Sequence, residues 1–172
     1  MVTQWCKSLT TACKRRPPAS APASLCAVKA AAYKIPSYQS LPPRSIDAIK
    51  ATLLNEQLVS IGVPMFKNSW DQSGFVEEFG EIALPLTRSD PMTGTEVLLD
   101  TYVGGHALAI VGFQDTPDPN DLDEYRTGGG YFIVKNSWGT SWAWNNTLHS
   151  PGFGQLPYEY VRKYNWEAHV IS

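Results

Sequence analysis

Apolar positions change their period at a few clear places along the chain, and those changes predict the elements. Residues 45–56 open with Ser45, which has capping chemistry, and continue with Ile46, Ile49, Leu53 and Leu54 at helical spacing. The segment therefore reads as a helix with one apolar face, entered from a loop at Pro42-Pro43. Residues 58–66 switch to alternation, with Val59, Ile61 and Val63 on one side, which predicts a buried strand. Residues 67–103 hold no sustained period and carry turn signals at Asp71-Gln72-Ser73-Gly74 and Asp90-Pro91-Met92-Thr93-Gly94. The strongest strand signals are residues 106–113, entered through Gly104-Gly105, and residues 131–136, reached through an acidic loop at 114–127 and Gly128-Gly129-Gly130. Strand, polar loop and strand in that order predict an antiparallel hairpin. Segments from Phe153 onward and at 166–171 add two further strands. A helix followed mainly by antiparallel strands points to an α+β fold.

Composition narrows the function classes. The 172 residues are 43% apolar and 17% charged, enough for one domain with a real core and unlike a disordered chain. Aromatic residues reach 12%, which suits a well-filled core or an aromatic-lined cleft. The net charge of −2, with only the short Lys14-Arg15-Arg16 cluster, gives no support for nucleic-acid binding. No apolar run approaches the roughly 20 residues of a membrane helix, so no membrane partner is expected. The start of the chain has no long apolar stretch of signal-peptide type, Asn145-Asn146-Thr147 is a glycosylation sequon of a kind common by chance, and the compartment stays open.

Residues 1–26 differ from the rest. They hold all three cysteines, Cys6, Cys13 and Cys26, together with a Pro/Ala/Ser stretch, and show no period. They read as an irregular arm or non-native segment, with residues 27–172 as the domain. An odd cysteine count closes no disulfide set, and the spacing matches no zinc motif.

The chemistry lies in two segments. The first is Gly104-Gly105-His106-Ala107-Leu108-Ala109-Ile110-Val111-Gly112-Phe113, and the second is Tyr131-Phe132-Ile133-Val134-Lys135-Asn136-Ser137-Trp138-Gly139-Thr140-Ser141-Trp142. In content and order they resemble the His and Asn boxes of the papain-like cysteine peptidases, and Gly152-Phe153-Gly154-Gln155-Leu156-Pro157-Tyr158 resembles a Gly-aromatic-Gly segment downstream in that family. The resemblance runs from about Ala27 to Ser172 and is strongest in 104–158. It implies a papain-like fold, mainly its antiparallel, barrel-like half, and hydrolysis of a peptide or protein substrate by a Cys-His-Asn mechanism without metal or organic cofactor.

The residue types suit that chemistry. A thiol attacks a peptide carbonyl well only as thiolate, which a neighbouring imidazole stabilises, so His106 is the candidate base and later the acid toward the leaving amine. Asn136 can accept the other ring N–H and fix the imidazole. A hairpin of the two strands brings residues 106 and 136 to one open end, where Trp138 can cover their hydrogen bond and border the substrate. Gly105 leaves room for a substrate backbone. By resemblance its carbonyl holds the peptide near the scissile bond, and Gly62 and Gly104 line the pocket for the substrate's second side chain.

Other features read as structural. Lys67-Asn68-Ser69-Trp70 repeats the Lys-Asn-Ser-Trp of the Asn box, but it precedes His106 and Asp71 follows where the box has Gly. His149 and His169 read as surface residues. The acidic loop, with Asp115, Asp118, Asp121, Asp123 and Glu124, lacks the order of a calcium loop and reads as a solvated hairpin tip.

The family places its nucleophile in a Gln-x-x-x-x-x-Cys-Trp pattern at the start of a buried helix, where the Gln side chain and the Cys N–H form the oxyanion hole. No cysteine here stands in that pattern. Trp5-Cys6 is reversed and Gln4 is too close; Cys13 runs into Lys14-Arg15-Arg16 and two prolines; Cys26 has Ser20 where the Gln belongs and lies 80 residues from His106. The expectation is therefore a C-terminal part of a peptidase that lacks the helical, Cys-bearing half, needs that half as partner and is inactive alone. The rival readings are a non-catalytic papain-like module that binds peptides or a partner, and a Cys-His-Asn relative that transfers amides.

Overall fold

The structure is a computed structural model and describes residues 37–71, 74–116 and 128–171. The expectations for residues 1–26, for the three cysteines and for Asp118, Asp121, Asp123 and Glu124 lie outside the described residues, as do two residues of the turn signal at 71–74.

The described elements run β1 (Tyr38–Ser40), α1 (Ile46–Leu54), β2 (Val59–Phe66), α2 (Lys67–Trp70), α3 (Phe75–Phe79), β3 (Thr87–Ser89), β4 (Glu96–Leu98), β5 (Tyr102–Asp115), β6 (Gly130–Lys135), β7 (Phe153–Pro157), α4 (Tyr158–Tyr164) and β8 (Glu167–Ile171). Six strands form one antiparallel sheet in the order β1-β8-β2-β5-β6-β7, and β3 pairs with β4 in a separate hairpin. The fold is mostly antiparallel sheet with few helices.

The period of two in the sequence builds the sheet's inner face. Val59, Ile61 and Val63 of β2, Leu108 and Ile110 of β5, and Phe132 and Val134 of β6 are all buried in one core. Each such side chain contributes about 1.5–3 kcal/mol through burial. Helix α1 closes one side of this core. It starts where Ser45 Oγ accepts the Ala48 N–H at 3.2 Å, the expected cap. Its buried face differs from the expected one. Ile46, Ile49 and Thr52 are buried and Leu53 is partly so, whereas Leu54 is 72% exposed. At about 100° per residue Leu54 has rotated away from the stripe that Ile46 and Ile49 define.

The second helical anchor is α4. Tyr160 and Val161 are buried against the sheet, and Tyr158 donates its hydroxyl to Asp115 at 2.8 Å. Lys50 of α1 meets the same carboxylate at 2.7 Å, so Asp115 at the end of β5 joins helix to sheet. The Lys50 hydrogen bond holds that carboxyl below its usual range.

Strand β5 is longer than the sequence pattern implies. It begins at Tyr102, so His106 lies inside it and does not open it. The cause is β2, which runs on to Phe66 and offers ladder partners as far as Gly105, Gly104 and Tyr102. Near Asp90 the turn signal is realised as the tip of the β3–β4 hairpin, where the Asp90 carboxylate accepts the N–H groups of Met92 and Thr93.

Candidate active site

The β5–β6 ladder ends where Ala109 pairs with Lys135; beyond that pair lie His106 on β5 and Asn136 just past β6. Across this end of the hairpin, His106 Nε2 lies 3.0 Å from Asn136 Oδ1. Asn136 is 3% exposed, and its Oδ1 also accepts the Ser137 N–H at 2.8 Å. That second donor fixes the amide: turned over, the side chain would point its own NH₂ at the Ser137 N–H. With an oxygen facing Nε2, that nitrogen carries a ring proton, and among the described residues none hydrogen-bonds Nδ1. Asn136 Nδ2 is buried and has no hydrogen-bond partner.

Two indoles enclose the imidazole. Trp138 lies beside it at 5.0 Å between ring centroids with a tilt of 33°. Trp70 meets it edge-on at 5.5 Å. Trp138 in turn packs against Trp70 at 6.0 Å and Trp142 at 5.9 Å. Trp70 and Trp142 are buried, while Trp138 is 44% exposed and forms the outer wall. Gly154 makes room for this stack. A Cβ there would come 2.5 Å from both the Trp142 ring and the Gly80 carbonyl, so the Gly152-Phe153-Gly154 segment seats Trp142.

Trp70 is held from behind. Its indole N–H donates to the Tyr160 hydroxyl at 3.0 Å, and that hydroxyl donates to the Pro64 carbonyl at 2.6 Å. Burial pushes the Tyr160 hydroxyl up to about 12, so it stays protonated and keeps donating. The short helix α2 that carries Trp70 hangs on one buried carboxylate. Asp100 accepts the N–H groups of Asn68, Ser69 and Thr101 and the Asn68 side-chain amide, at 2.8–3.2 Å. The second Lys-Asn-Ser-Trp is thus explained: its Asn68 is tied to Asp100, and its Trp70 touches His106. Sequence reasoning missed Trp70, Asp100 and Tyr160, whose partners come from distant segments.

The glycines fall along the β2–β5 ladder. Gly62 pairs with Ala107, Gly104 with Met65 and Gly105 with Pro64. Each uses its missing side chain differently. A Cβ on Gly105 would sit 2.7 Å from the Trp166 ring, and one on Gly62 would sit 3.0 Å from Glu167 Cγ, whereas Gly104 faces open space. The space at Gly105 is therefore taken by Trp166, another aromatic that sequence reasoning did not single out, and that ring is itself 53% exposed.

Of the two remaining histidines, His149 does not read as a surface residue. Its Nε2 is buried without a partner, its ring packs near Tyr131 at 6.2 Å, and burial lowers its pKa. His169 is half-buried and lies 3.2 Å from Ser40 Oγ. Among the described residues no three His, Cys, Asp or Glu side chains gather as a metal site would need, and no helix is long and apolar enough to cross a membrane.

No protein-family model matches the sequence. Two curated proteins resemble it. A peptidase C1-like protein of Acanthamoeba polyphaga mimivirus is 30% identical over 125 residues, which are 70% of this chain and 32% of that protein. A probable cysteine proteinase of Invertebrate iridescent virus 6 is 28% identical over 99 residues, 54% of this chain and 17% of the relative. Among solved structures, xylellain, a cysteine protease from Xylella fastidiosa, superposes with a TM-score of 0.60 at 26% identity, over 90% of this chain and 48% of that one. The chain thus spans a third or less of the curated relatives and about half of the solved structure.

Proposed function

The chain is related to the papain-like cysteine peptidases, and from that premise we propose that His106 and Asn136 are the base and the orienting group of a cysteine-type hydrolysis of peptide bonds. The observation that carries this reading is the 3.0 Å contact between His106 Nε2 and a buried Asn136 Oδ1. It commits one ring nitrogen to the protein and leaves Nδ1 for chemistry.

In the proposed cycle a cysteine thiol gives its proton to His106 Nδ1. The thiolate then attacks the carbonyl carbon of the substrate. As the tetrahedral intermediate collapses, the imidazolium returns the proton to the departing amine nitrogen, and a thioester remains. Neutral His106 next takes a proton from water. The resulting hydroxide adds to the thioester, and collapse releases the carboxylic acid and regenerates the thiol. Asn136 holds the ring in register through both halves, and Trp138 keeps water off their hydrogen bond. Gly105 and Gly104, one and two residues before His106 on β5, and Gly62 across the ladder form the proposed track for the peptide.

No cysteine lies among the described residues. The thiol, and with it the Gln-type oxyanion donor, is proposed to come from a helical segment of a longer protein, and residues 1–172 alone are expected to hydrolyse nothing. A fluorogenic peptide panel with a thiol-directed epoxide tests this on the chain and on the longest natural protein that contains it. The expected result is epoxide-sensitive turnover by the longer protein only, lost in His106→Ala and reduced about 10²-fold in Asn136→Ala. Turnover that survives His106→Ala sinks the reading. Turnover by the chain alone that disappears with Cys26→Ser would assign the thiol to Cys26 instead.

A further inference from the structure

A cavity of about 410 Å³ is lined in part by the two indoles that contact the His106 imidazole. This is within the size range of small-ligand sites, about 300–1,000 Å³. Trp70, Trp138 and Trp142 form its aromatic wall, and Asp71 and Glu77 place two carboxylates on it. Among the described residues of the lining, Lys67 is the one cation. The ion pairs of the described residues join Lys50 to Asp115, Arg162 to Glu159, Lys163 to Glu96 and Glu159, and His169 to Glu167, so neither Asp71 nor Glu77 is neutralised by one.

We propose that this cavity is a recognition site for a positively charged side chain, the guanidinium or ammonium of an arginine or lysine in a peptide. The identification of that peptide as substrate rests on the proposed function. The choice of charge follows from the lining. An apolar group would strip water from two carboxylates and give nothing back. An anion would meet net negative charge. A cation meets indole rings, which attract it through their quadrupole, and carboxylates that no ion pair of the described residues occupies. Arginine fits best, because its planar head can stack on an indole while its N–H groups reach a carboxylate.

The position gives the site its use. Trp70 and Trp138 both contact the imidazole and both line the cavity. A side chain held there lies one indole from His106, so it belongs to a residue near the reacting bond. Asp71 and Glu77 are then specificity-determining residues, and Lys67 opposes them.

The test is equilibrium binding to the purified chain, followed by the fluorescence of the tryptophans. Two hexapeptides are compared that differ only in arginine against its neutral isostere citrulline. The arginine peptide is expected to bind at least about tenfold more tightly. Asp71→Asn combined with Glu77→Gln should remove that difference, and Lys67→Met should widen it. All three changes lie at exposed positions, and a matching thermal melt shows that the fold is kept. Equal affinity for the two peptides, no binding of either, or full discrimination in the Asp71→Asn/Glu77→Gln variant would overturn the proposal. This readout is binding alone and needs no cysteine thiol. A cavity that selects arginine in a longer protein without peptidase activity would therefore count against the proposed hydrolysis and not against this site.

Discussion

The Trp70 indole meets the His106 imidazole edge-on, with ring centroids 5.5 Å apart and planes at 89°. The two residues come from different elements, strand β5 and helix α2. His106 is set by the β2–β5 ladder, opposite Val63, and Trp70 by the α2 turn that follows β2. Their meeting is enforced by two buried groups, Asp100 below the turn and Tyr160 behind the indole. The wall of the site is thus a consequence of buried hydrogen bonds some 30 to 90 residues apart in sequence.

Asp100→Ala should cost about 3 kcal/mol of stability, because it removes charge-assisted bonds and leaves the buried N–H of Ser69 and the part-buried N–H of Asn68 without their acceptor. Asp100→Asn should fall between Asp100→Ala and the parent, since one of its two acceptor oxygens becomes a donor. Urea denaturation followed by tryptophan fluorescence gives both values. Equal stability of Asp100→Ala and the parent would show that the turn does not depend on this carboxylate.

Gly154→Ala should destabilise by roughly 1–3 kcal/mol through overpacking. The added methyl would press on the Gly80 carbonyl, which is backbone, as well as on Trp142. Gly62→Ala is the contrasting change, because its Cβ would meet only the Glu167 side chain, which is exposed and can move aside. Thermal melts of the two variants should differ clearly, with Gly154→Ala the lower; the reverse order would contradict the packing described.

Burial holds the His149 imidazole below its ordinary value of 6.5, so the folded chain prefers it neutral. Above 6.5 both folded and unfolded states are neutral there, and the group contributes no pH dependence. As pH falls below that value the unfolded chain takes up the proton first, and stability declines until the folded pKa is passed. His149→Gln should flatten this part of the profile below about pH 6.5. An NMR titration of His149 with a midpoint above 6.5 would contradict the assignment.

Local signals were legible in the chain, and long-range ones were not. Ser45 declares its cap within four residues, Val59, Ile61 and Val63 declare a buried strand by alternation, and the two boxes around His106 and Asn136 each sit on a continuous apolar run. Their meeting could be read because a hairpin joins them. Trp70, Asp100, Tyr160 and Trp166 act through partners on other elements, and nothing in their immediate neighbours announces it. Leu54 and His149 show the limit in the other direction. Spacing alone put Leu54 on the buried face when the helix end turns it outward, and missing context made His149 a surface residue when its Nε2 is enclosed.

The central claim is that Asn136 holds the Nε2 proton of His106 so that Nδ1 is free to act as the base. The ¹⁵N and ¹H NMR signals of the His106 ring measure this directly on the chain as it stands. The account predicts a neutral ring protonated at Nε2, with a proton signal sheltered from exchange by Trp138 and lost in Asn136→Ala. A ring protonated at Nδ1, or an Nε2 proton whose exchange is unchanged in Asn136→Ala, would contradict it.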